Sequence, residues 1–406
     1  MVRGAMRKTV KACLKPFLVI SCILLLIMSC SRAKTGKKAE WKGETELKNG
    51  TKIVKNPSEP VYGEILFELK EDLSIGHEGD DNYLFYDPRN IFVDDQGNVS
   101  ILERGNCRIQ KFDKNGKYLQ TIGKKGQGPG ELERPNSLFL DKNNNIYVSD
   151  RMKIHFFNSE GGFVKTISLS EQVNDFCVSS EGDIFGLTTT TAERERTKLV
   201  VKMNPEGKIL ENIARFAEVS HVTRKSGNVV SRFSITHSYN PSLYFVFSND
   251  YQIFYADSSE YSFSRINLDG EVKMIVKKAE SFHSISQKEK DKIYERFSEL
   301  AKQWPEGVVK EAVQFPAHRP FFDRIVIDEK GRIYIKKVKP VLDETKNVEF
   351  DIFNRDGYYL YRTNLPFSPE IIKNGYFYDL FTSDETGEVK IIRYKVLNWD
   401  RIKDSL

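Results

Sequence analysis

The stretch from Arg89 to Gly123, RNIFVDDQGNVSILERGNCRIQKFDKNGKYLQTIG, decides the fold. Within it, two short runs of alternating apolar and polar residues are joined at DDQGN, and two more are joined at the tight turn DKNG. Alternation with a period of two, interrupted by Asp, Asn and Gly, predicts four short antiparallel strands. A sheet of this size cannot bury both of its faces alone, so copies of it must pack on one another.

The same unit recurs along the chain. FLDKNNNIYVSD at Phe139–Asp150 matches FVDDQGNVSILE at Phe92–Glu103 position by position. The turn between the third and fourth strands recurs with an Asp or Asn that folds back on the following amides and a closing Gly that takes a positive φ. Its five copies are Phe112–Gly116, Phe157–Gly161, Met203–Gly207, Ile266–Gly270 and Phe353–Gly357. Counting the turn between the first and second strands as well gives six units.

The last unit is short of one strand. It begins near Pro369 and supplies three strands before Leu406. The run Tyr62–Leu69, YGEILFEL, precedes the first unit and belongs to none, so we predict that it is the missing strand. Pairing the two ends of the chain in one sheet removes free strand edges, as in β-propellers. The sequence therefore predicts an all-β, six-bladed β-propeller of four-stranded antiparallel blades over residues 61–400.

The repeats resemble a known family of domains. Ile122–Asp150, IGKKGQGPGELERPNSLFLDKNNNIYVSD, is similar to the linker and strand signature of NHL repeats and of bacterial six-bladed propeller lipoproteins. The resemblance covers roughly residues 62–399 and is carried by turn glycines, turn acids and core apolar residues. Family members include scaffold domains, sugar-lactone hydrolases and amidating lyases, so the resemblance implies a fold and leaves the activity open.

An enzymatic function is the alternative to a binding function. Related six-bladed enzymes hold calcium or zinc in the central channel through carboxylate, Asn or His side chains of the innermost strands. Those strands read NIFVD, SLFLD, DFCVS, LYFVF, RIVID and EIIKN here, and we interpret their acids as turn residues. The sequence has no G-x-S-x-G or H-E-x-x-H motif and no Cys pair at metal spacing. We therefore predict a binding or scaffold protein without a cofactor; a metal-dependent hydrolase or lyase with its site in the channel stays the alternative.

Residues Met1–Ser29 have the layout of a lipoprotein signal peptide. Five basic residues, no acid and the apolar run FLVISCILLLIM lead to Ile27-Met28-Ser29-Cys30, which resembles a bacterial lipobox. The apolar run is too short to span the hydrocarbon of a membrane. We predict lipidation of Cys30, a flexible tether over the polar residues 30–60, and a place in the bacterial cell envelope on its periplasmic or outer side.

The charge balance argues against one class of partner. The chain has 62 Lys and Arg against 57 Asp and Glu, but five of the basic residues lie in the signal segment, so the remainder is formally neutral. Nucleic-acid binding needs a surplus of basic residues, and we expect none. Cys107 and Cys177 fall in the first and third units, which are not neighbours in a ring, so we predict no disulfide between them.

The connections differ in length between the two faces of the ring. Turns between strands one and two, and between three and four, are short and share one face; the long connections share the other. Elaborated loops on a rigid scaffold are typical of a binding surface. The longest insertion contains a predicted helix at about residues 284–304, with Ser286 and Glu289 as a capping box. This helix either covers part of the rim or serves as a lid or docking helix.

We place the ligand site on this long-loop face. Arg104 and Arg151 occupy matching positions in the first two units, and the long insertions add further polar side chains. Arg and Tyr are planar or rigid donors that anchor polar partners well. The alternative is structural bonding within a loop, as between Glu103 and Arg108. The ligand is a protein, a peptide or a saccharide. The candidate contacts are Arg104, Arg151, His237, Tyr239, His318 and Arg319.

Overall fold

The structure, a computed structural model, describes residues 40–77, 79–192, 195–218, 222–226, 229–233, 235–248, 251–305 and 307–406. The expected signal segment and Cys30 lie outside the described residues. Trp41–Leu406 form one unit. In the described part of the chain, no helix is both long enough and apolar enough to cross a membrane.

Six blades of four antiparallel strands form the body of the protein; five are separate four-stranded sheets, and the sixth is part of a six-stranded sheet. Three strands precede the first blade: β1 (Glu44–Lys48), β2 (Thr51–Asn56) and β3 (Leu69–Ile75). Blade 1 consists of β4 (Pro88–Val93), β5 (Val99–Glu103), β6 (Arg108–Phe112) and β7 (Tyr118–Ile122). Blade 2 consists of β8 (Pro135–Leu140), β9 (Ile146–Asp150), β10 (Lys153–Phe157) and β11 (Phe163–Ser168). Blade 3 consists of β12 (Val173–Val178), β13 (Ile184–Ala192), β14 (Glu195–Met203) and β15 (Ile209–Ala217).

The second half of the chain repeats this plan with insertions. A hairpin of β16 (Val222–Ser226) and β17 (Val229–Phe233) precedes blade 4, which consists of β18 (Leu243–Phe247), β19 (Ile253–Asp257), β20 (Ser262–Ile266) and β21 (Val272–Lys278). Three helices follow: α1 (Gln287–Arg296), α2 (Ser298–Gln303) and α3 (Val308–Ala312). Blade 5 consists of β22 (Phe322–Ile327), β23 (Ile333–Lys337), β24 (Val348–Phe353) and β25 (Tyr359–Leu365). Blade 6 consists of β26 (Ile371–Lys373), β27 (Tyr376–Thr382) and β28 (Val389–Val396), completed by β3; a 3-10 helix at Trp399–Arg401 follows.

The innermost strands form a closed ring. Each one contacts the innermost strand of the next blade, and β26 of blade 6 contacts β4 of blade 1. The large apolar clusters lie between neighbouring blades, so each sheet buries one face against the blade before it and the other against the blade after it. The predicted six-bladed propeller is confirmed.

The repeated turn explains why the blades stack at a constant spacing. In blade 1 the carboxylate of Asp113 accepts hydrogen bonds from the amides of Asn115 and Lys117, at 2.8 and 2.9 Å. The closing glycine then packs against the outermost strand of the preceding blade. A Cβ atom added at Gly207 in blade 3, where φ is +79°, would lie 2.3 Å from the carbonyl oxygen of Ser168 in blade 2. Both the backbone conformation and this close approach require glycine.

The ring closes with a different strand from the one predicted. β3, at Leu69–Ile75, pairs with β28, with Leu69 opposite Val396 and Ile75 opposite Ile391. The predicted run Tyr62–Leu69 instead lies beside β25 of blade 5, where the amide of Ile65 donates to the carbonyl of Arg362 at 2.9 Å. The prediction was wrong because an outermost strand faces solvent on most sides. The charged sequence of β3 therefore does not look like a strand by composition.

The predicted tether at residues 30–60 was also wrong over part of its length. β1 and β2 form a hairpin, and β2 pairs in parallel with β21, so that blade 4 becomes a six-stranded sheet. Val54 is fully buried there. The amide group of Asn56 bonds the carbonyl of Gly357 at 2.8 Å and the backbone amide of Tyr359 at 2.8 Å, in blade 5. The mean composition of this segment is polar, which hid its buried core residue, Val54.

The predicted helix is confirmed with a break. Ser286 and Glu289 form the expected capping box; α1 ends at Arg296, and α2 begins at Ser298 after the single residue Phe297. The helices pack on the β16–β17 hairpin and on the connection between β23 and β24. We call these insertions, residues 222–242, 279–321 and 338–347 so far as they are described, the cap.

Candidate functional site

The two faces of the ring carry different structures. The turns from β4 to β5 and from β6 to β7, with their counterparts in the other blades, define the short-turn face. The cap segments leave and enter the blades at the opposite strand ends and define the long-loop face. Two of these segments lead directly into β18 and β22, which are innermost strands. The cap therefore stands beside the mouth of the central channel.

The cap has an apolar core of its own, and Tyr239 lies at its centre. Tyr239 is fully buried, and its hydroxyl donates to the carboxylate of Glu289 while it accepts the amide of Val341 at 2.8 Å. Burial raises the pKa of Tyr239 to about 12. Because its hydroxyl is used twice inside the protein, these bonds support a structural role for Tyr239.

His237 and Arg319 also form bonds within the cap. The Nε2 atom of His237 lies 2.9 Å from the carbonyl oxygen of Gln314, and burial lowers the pKa of this imidazole. The Nε atom of Arg319 lies 3.7 Å from the carboxylate of Glu289, the same group that Tyr239 contacts. Both side chains are half-buried. They help to hold the cap together and reach its surface only in part.

His318 marks the outer surface of the cap. Its ring packs against that of Phe282 with 4.3 Å between the centroids, and Phe282 is 69% exposed. An exposed large aromatic side chain beside a half-exposed imidazole is typical of a contact surface for a polar or aromatic group. Phe282 was not among the predicted contacts, although it lies in the predicted insertion.

Arg104 and Arg151 lie in blades 1 and 2, away from the cap insertions. The Nε atom of Arg104 lies 2.7 Å from the carboxylate of Asp87, and Arg151 is exposed with φ at +55°. Glu103 pairs with Arg108 at 2.8 Å, as the structural alternative expected. Among the described residues no contact joins either arginine to the four candidates in the cap. The structure thus does not bring the six predicted residues into one site.

The central channel contains two connected cavities. One, of about 250 Å³, lies between the innermost strands, and the other, of about 330 Å³, opens on the short-turn face. The walls of the inner cavity are mostly apolar, with Leu138, Phe245 and Ile325 among them. The two cavities share Phe92, Ser248, Asp328, Glu329 and Lys373.

At the short-turn end, the acids belong to turns. Asp94 accepts the amides of Gln96 and Asn98 at 2.9 and 2.8 Å, so the turn itself explains it. The buried ammonium of Lys373 bonds the carbonyl of Val93 at 3.0 Å and the carboxylate of Asp95 at 2.7 Å. These bonds join blade 6 to blade 1. The polar groups here are engaged in holding the ring together.

At the long-loop end, polar side chains stand at the start of the innermost strands. In four of the six strands the pairing register shifts by one residue near this end, as at a β-bulge, and a polar residue is inserted. Such bulges re-aim a side chain and recur beside functional sites. The inserted residues are Arg89, Asn136, Asp175 and Asp323.

A surplus of carboxylates surrounds Arg324 at this mouth. The guanidinium of Arg324 pairs with Glu370 at 2.6 Å, and Lys336 pairs with Asp323 at 3.2 Å. Among the residues that the structure describes, neither Asp175 nor Asp379 has such a pair. Burial raises the pKa of Asp175, and burial together with the nearby Glu370 carboxylate raises the pKa of Asp379 to about 6.

Sequence reasoning missed these acids because it treated every acid of the innermost strands as a turn residue. Asp175 in DFCVS and Glu370 in EIIKN stand at the opposite strand end from the turns, and that position was the available signal. Within the described ranges, no three His, Cys, Asp or Glu side chains are grouped so as to hold a metal ion. Cys107 and Cys177 are both buried and unpaired, and burial raises the pKa of each thiol.

Comparison with known proteins gives a family and a shared fold. The model of a family described as 6-bladed beta-propeller, DUF5128, matches residues 75–303. A Bacteroides fragilis protein described as exported has 12% identity and a TM-score of 0.50, over 85% of this chain and 99% of that chain. Virginiamycin B lyase from Staphylococcus aureus has 13% identity and a TM-score of 0.40, over 81% of this chain and 100% of that chain. Protein brain tumor of Drosophila melanogaster is 31% identical over 85 residues, which span 20% of this chain and 8% of that protein.

Proposed function

The chain belongs to the DUF5128 family of 6-bladed β-propellers, and we propose that it is an envelope-anchored binding protein that recognises its ligand on the long-loop face. The ligand site comprises the outer surface of the cap and the adjoining mouth of the central channel. The ligand is a protein, a peptide or a saccharide, and binding requires no cofactor.

The position of the cap carries this proposal. Three insertions from different places in the chain fold together over one side of the ring and share an apolar core. Tyr239, from the first insertion, bonds to Glu289 of the second and to Val341 of the third. A rigid structure built from loops is what a fixed recognition surface requires. The short-turn face has no counterpart to the cap among the described residues.

The proposed anchor at Cys30 places the propeller close to a membrane. Because the β1–β2 hairpin is part of blade 4, only the residues between Cys30 and Trp41 separate the anchor from the folded unit. Eleven extended residues span at most about 40 Å. A lipid anchor at Cys30 would keep the propeller within that distance of the membrane surface.

The proposal is tested with arrayed saccharides and peptides and two matched pairs of substitutions. We expect Phe282→Ala with His318→Ala, on the cap, to weaken binding of any ligand found at least tenfold. Asn115→Ala with Asp356→Ala, at exposed turns of the short-turn face, serves as the control and leaves binding unchanged. Loss of binding in the second pair alone would show that the protein works from the opposite face.

A further inference from the structure

We propose that the long-loop mouth of the channel is a binding site for an organic cation, a primary ammonium or guanidinium on a slender apolar stem, with Asp175 as its direct counter-ion. This inference rests on the proposed function in one respect, because both require the mouth to be open to a ligand. It goes further in naming the chemical class and the residue that recognises it.

The first argument is the environment of Asp175. The register shift in β12 inserts this residue into an otherwise buried strand and turns it to the channel. Its carboxylate lines the inner cavity and is open to the lumen, although protein surrounds it. No other described residue forms a hydrogen bond or ion pair with it, and Lys198 and Arg324 act on it only at longer range. An exposed carboxylate that faces a cavity and has no protein partner is available to a ligand of opposite charge.

The second argument is the charge balance of the mouth. Glu370 and Asp323 each have one cation, in Arg324 and Lys336 respectively. Two further cations at this end of the ring are engaged elsewhere: Arg89 pairs with Asp87 at 3.2 Å, and Lys198 pairs with Glu218 at 3.4 Å and bonds Ser242 at 2.6 Å. Within the described part of the chain, two carboxylates, those of Asp175 and Asp379, are therefore left without a matching cation. A ligand of charge +1 corrects part of this surplus, whereas an anionic ligand increases it.

The third argument is the shape and polarity of the cavity below Asp175. Its volume of about 250 Å³ and its wall of Leu138, Phe245 and Ile325 suit a slender apolar stem. Apolar walls lower the local dielectric and strengthen a charge pair at the mouth. Since the described residues offer no three grouped metal ligands, an organic cation fits better than a divalent metal ion. A lysine or arginine side chain of a peptide has the required form.

The test compares n-butylguanidinium with N-butylurea, its uncharged isostere, by NMR titration and calorimetry. We expect n-butylguanidinium to bind at the mouth at least tenfold more tightly than N-butylurea. Asp175→Asn removes the charge at constant shape and should weaken n-butylguanidinium binding at least tenfold. Asp356→Asn, at an exposed turn on the other face, should leave it unchanged. Glu370→Gln removes the carboxylate that pairs with Arg324, which makes the mouth less negative and should also weaken binding of n-butylguanidinium. This variant tests the inference if Asp175→Asn does not fold.

The possible results of the titrations separate this inference from the proposed function. Equal affinity for the two probes, binding of neither, or full binding by Asp175→Asn overturns the inference. If N-butylurea or butyrate perturbs the mouth as strongly as the cation does, the mouth is a ligand site of another class, and the proposed function stands without this inference. If both probes perturb only the short-turn end, the proposed function fails as well.

Discussion

Two kinds of carboxylate occur inside this protein, and the difference between them separates stability from function. Asp351, fully buried between blades 4 and 5, accepts hydrogen bonds from the hydroxyls of Tyr261 and Tyr359 and lies 3.2 Å from the ammonium of Lys278. Both oxygens of the Asp351 carboxylate are engaged in these contacts, which join blade 4 to blade 5. Asp175 has no such partners. A charge that the fold leaves unsatisfied, beside a cavity, is a candidate for binding.

Asp379 is a second carboxylate of the unsatisfied kind, and its effect on the free energy of unfolding depends on pH. The pKa of Asp379 is raised to about 6 by burial and by Glu370, while Arg324 lowers it and Tyr394 lies nearby. In the unfolded chain an Asp has a pKa of about 4. The folded protein therefore binds more protons between pH 4 and 6, and ionised Asp379 opposes folding above pH 6. We expect Asp379→Asn to raise the free energy of unfolding at pH 7.5 by about 1–2 kcal/mol.

This gain should shrink as the pH falls from 6 to 4, because Asp379 is then neutral in the folded protein too. Urea unfolding at several pH values measures it. The control is Asp384→Asn at an exposed turn, which should change nothing. A pH-independent difference between Asp379→Asn and the parent protein would contradict the raised pKa.

Tyr239 tests whether the cap is one body. Tyr239→Phe leaves the amide of Val341 without a partner and removes one of the bonds of the Glu289 carboxylate, at a cost of about 1–3 kcal/mol. We expect faster amide hydrogen exchange in α1 and around residues 338–341, with the blades unchanged. Tyr255→Phe is the matched control, because no described residue bonds to the hydroxyl of Tyr255. Uniform exchange across the cap in both variants would mean that Tyr239 does not hold the insertions together.

At the scale of elements, this propeller differs from six regular four-stranded blades in its extra outermost strands and in its bulges. β2 joins blade 4 in parallel, beyond the four strands that a blade needs, and its Asn56 reaches across to blade 5. The bulges in β4, β8, β12 and β22 place polar side chains at the mouth of the channel.

The hairpin should therefore contribute to stability. Removing residues 1–40 should leave the melting temperature unchanged, whereas removing residues 1–57 should lower it by several degrees. Loss of the buried Val54 and of the four bonds of Asn56 costs about 2–4 kcal/mol. Asn56→Ala should reproduce much of the loss, and Lys48→Ala, at the exposed end of the hairpin, none of it. Equal melting temperatures for the two truncations would show that the hairpin is only an appendage.

At the scale of the whole molecule, the sequence predicted what local chemistry dictates. The Asp or Asn and Gly of each turn, such as Asp113 and Gly116, need no distant partner to be recognised, so blade number and order followed from them. The closing strand β3 and the β1–β2 hairpin did not follow, because edge strands are mostly exposed and their charged residues resemble a linker. Asp175 was missed because the inserted residue of a bulge is set by pairing with the neighbouring strand, which a single sequence does not reveal.

The proposed attachment to a membrane also concerns the whole molecule. If Cys30 is lipidated, Cys30→Ser should abolish signal cleavage and leave a full-length precursor, since the thiol accepts the diacylglyceryl group before cleavage. Cys22→Ser, within the apolar run, should be processed normally. Membrane fractionation and intact-mass spectrometry measure both. A wild-type protein recovered processed but free of lipid would contradict the anchor.

The central claim is that the ligand meets the long-loop face, and site-specific photocrosslinking in the intact envelope tests it most directly. A photoreactive phenylalanine derivative replaces Phe282 on the cap in one variant and Asn115 on the short-turn face in the other; both positions are exposed. Intact-mass spectrometry then detects any adduct, whether the ligand is small or a protein. We predict a discrete adduct from position 282 and none from position 115. An adduct from position 115 alone would contradict the account.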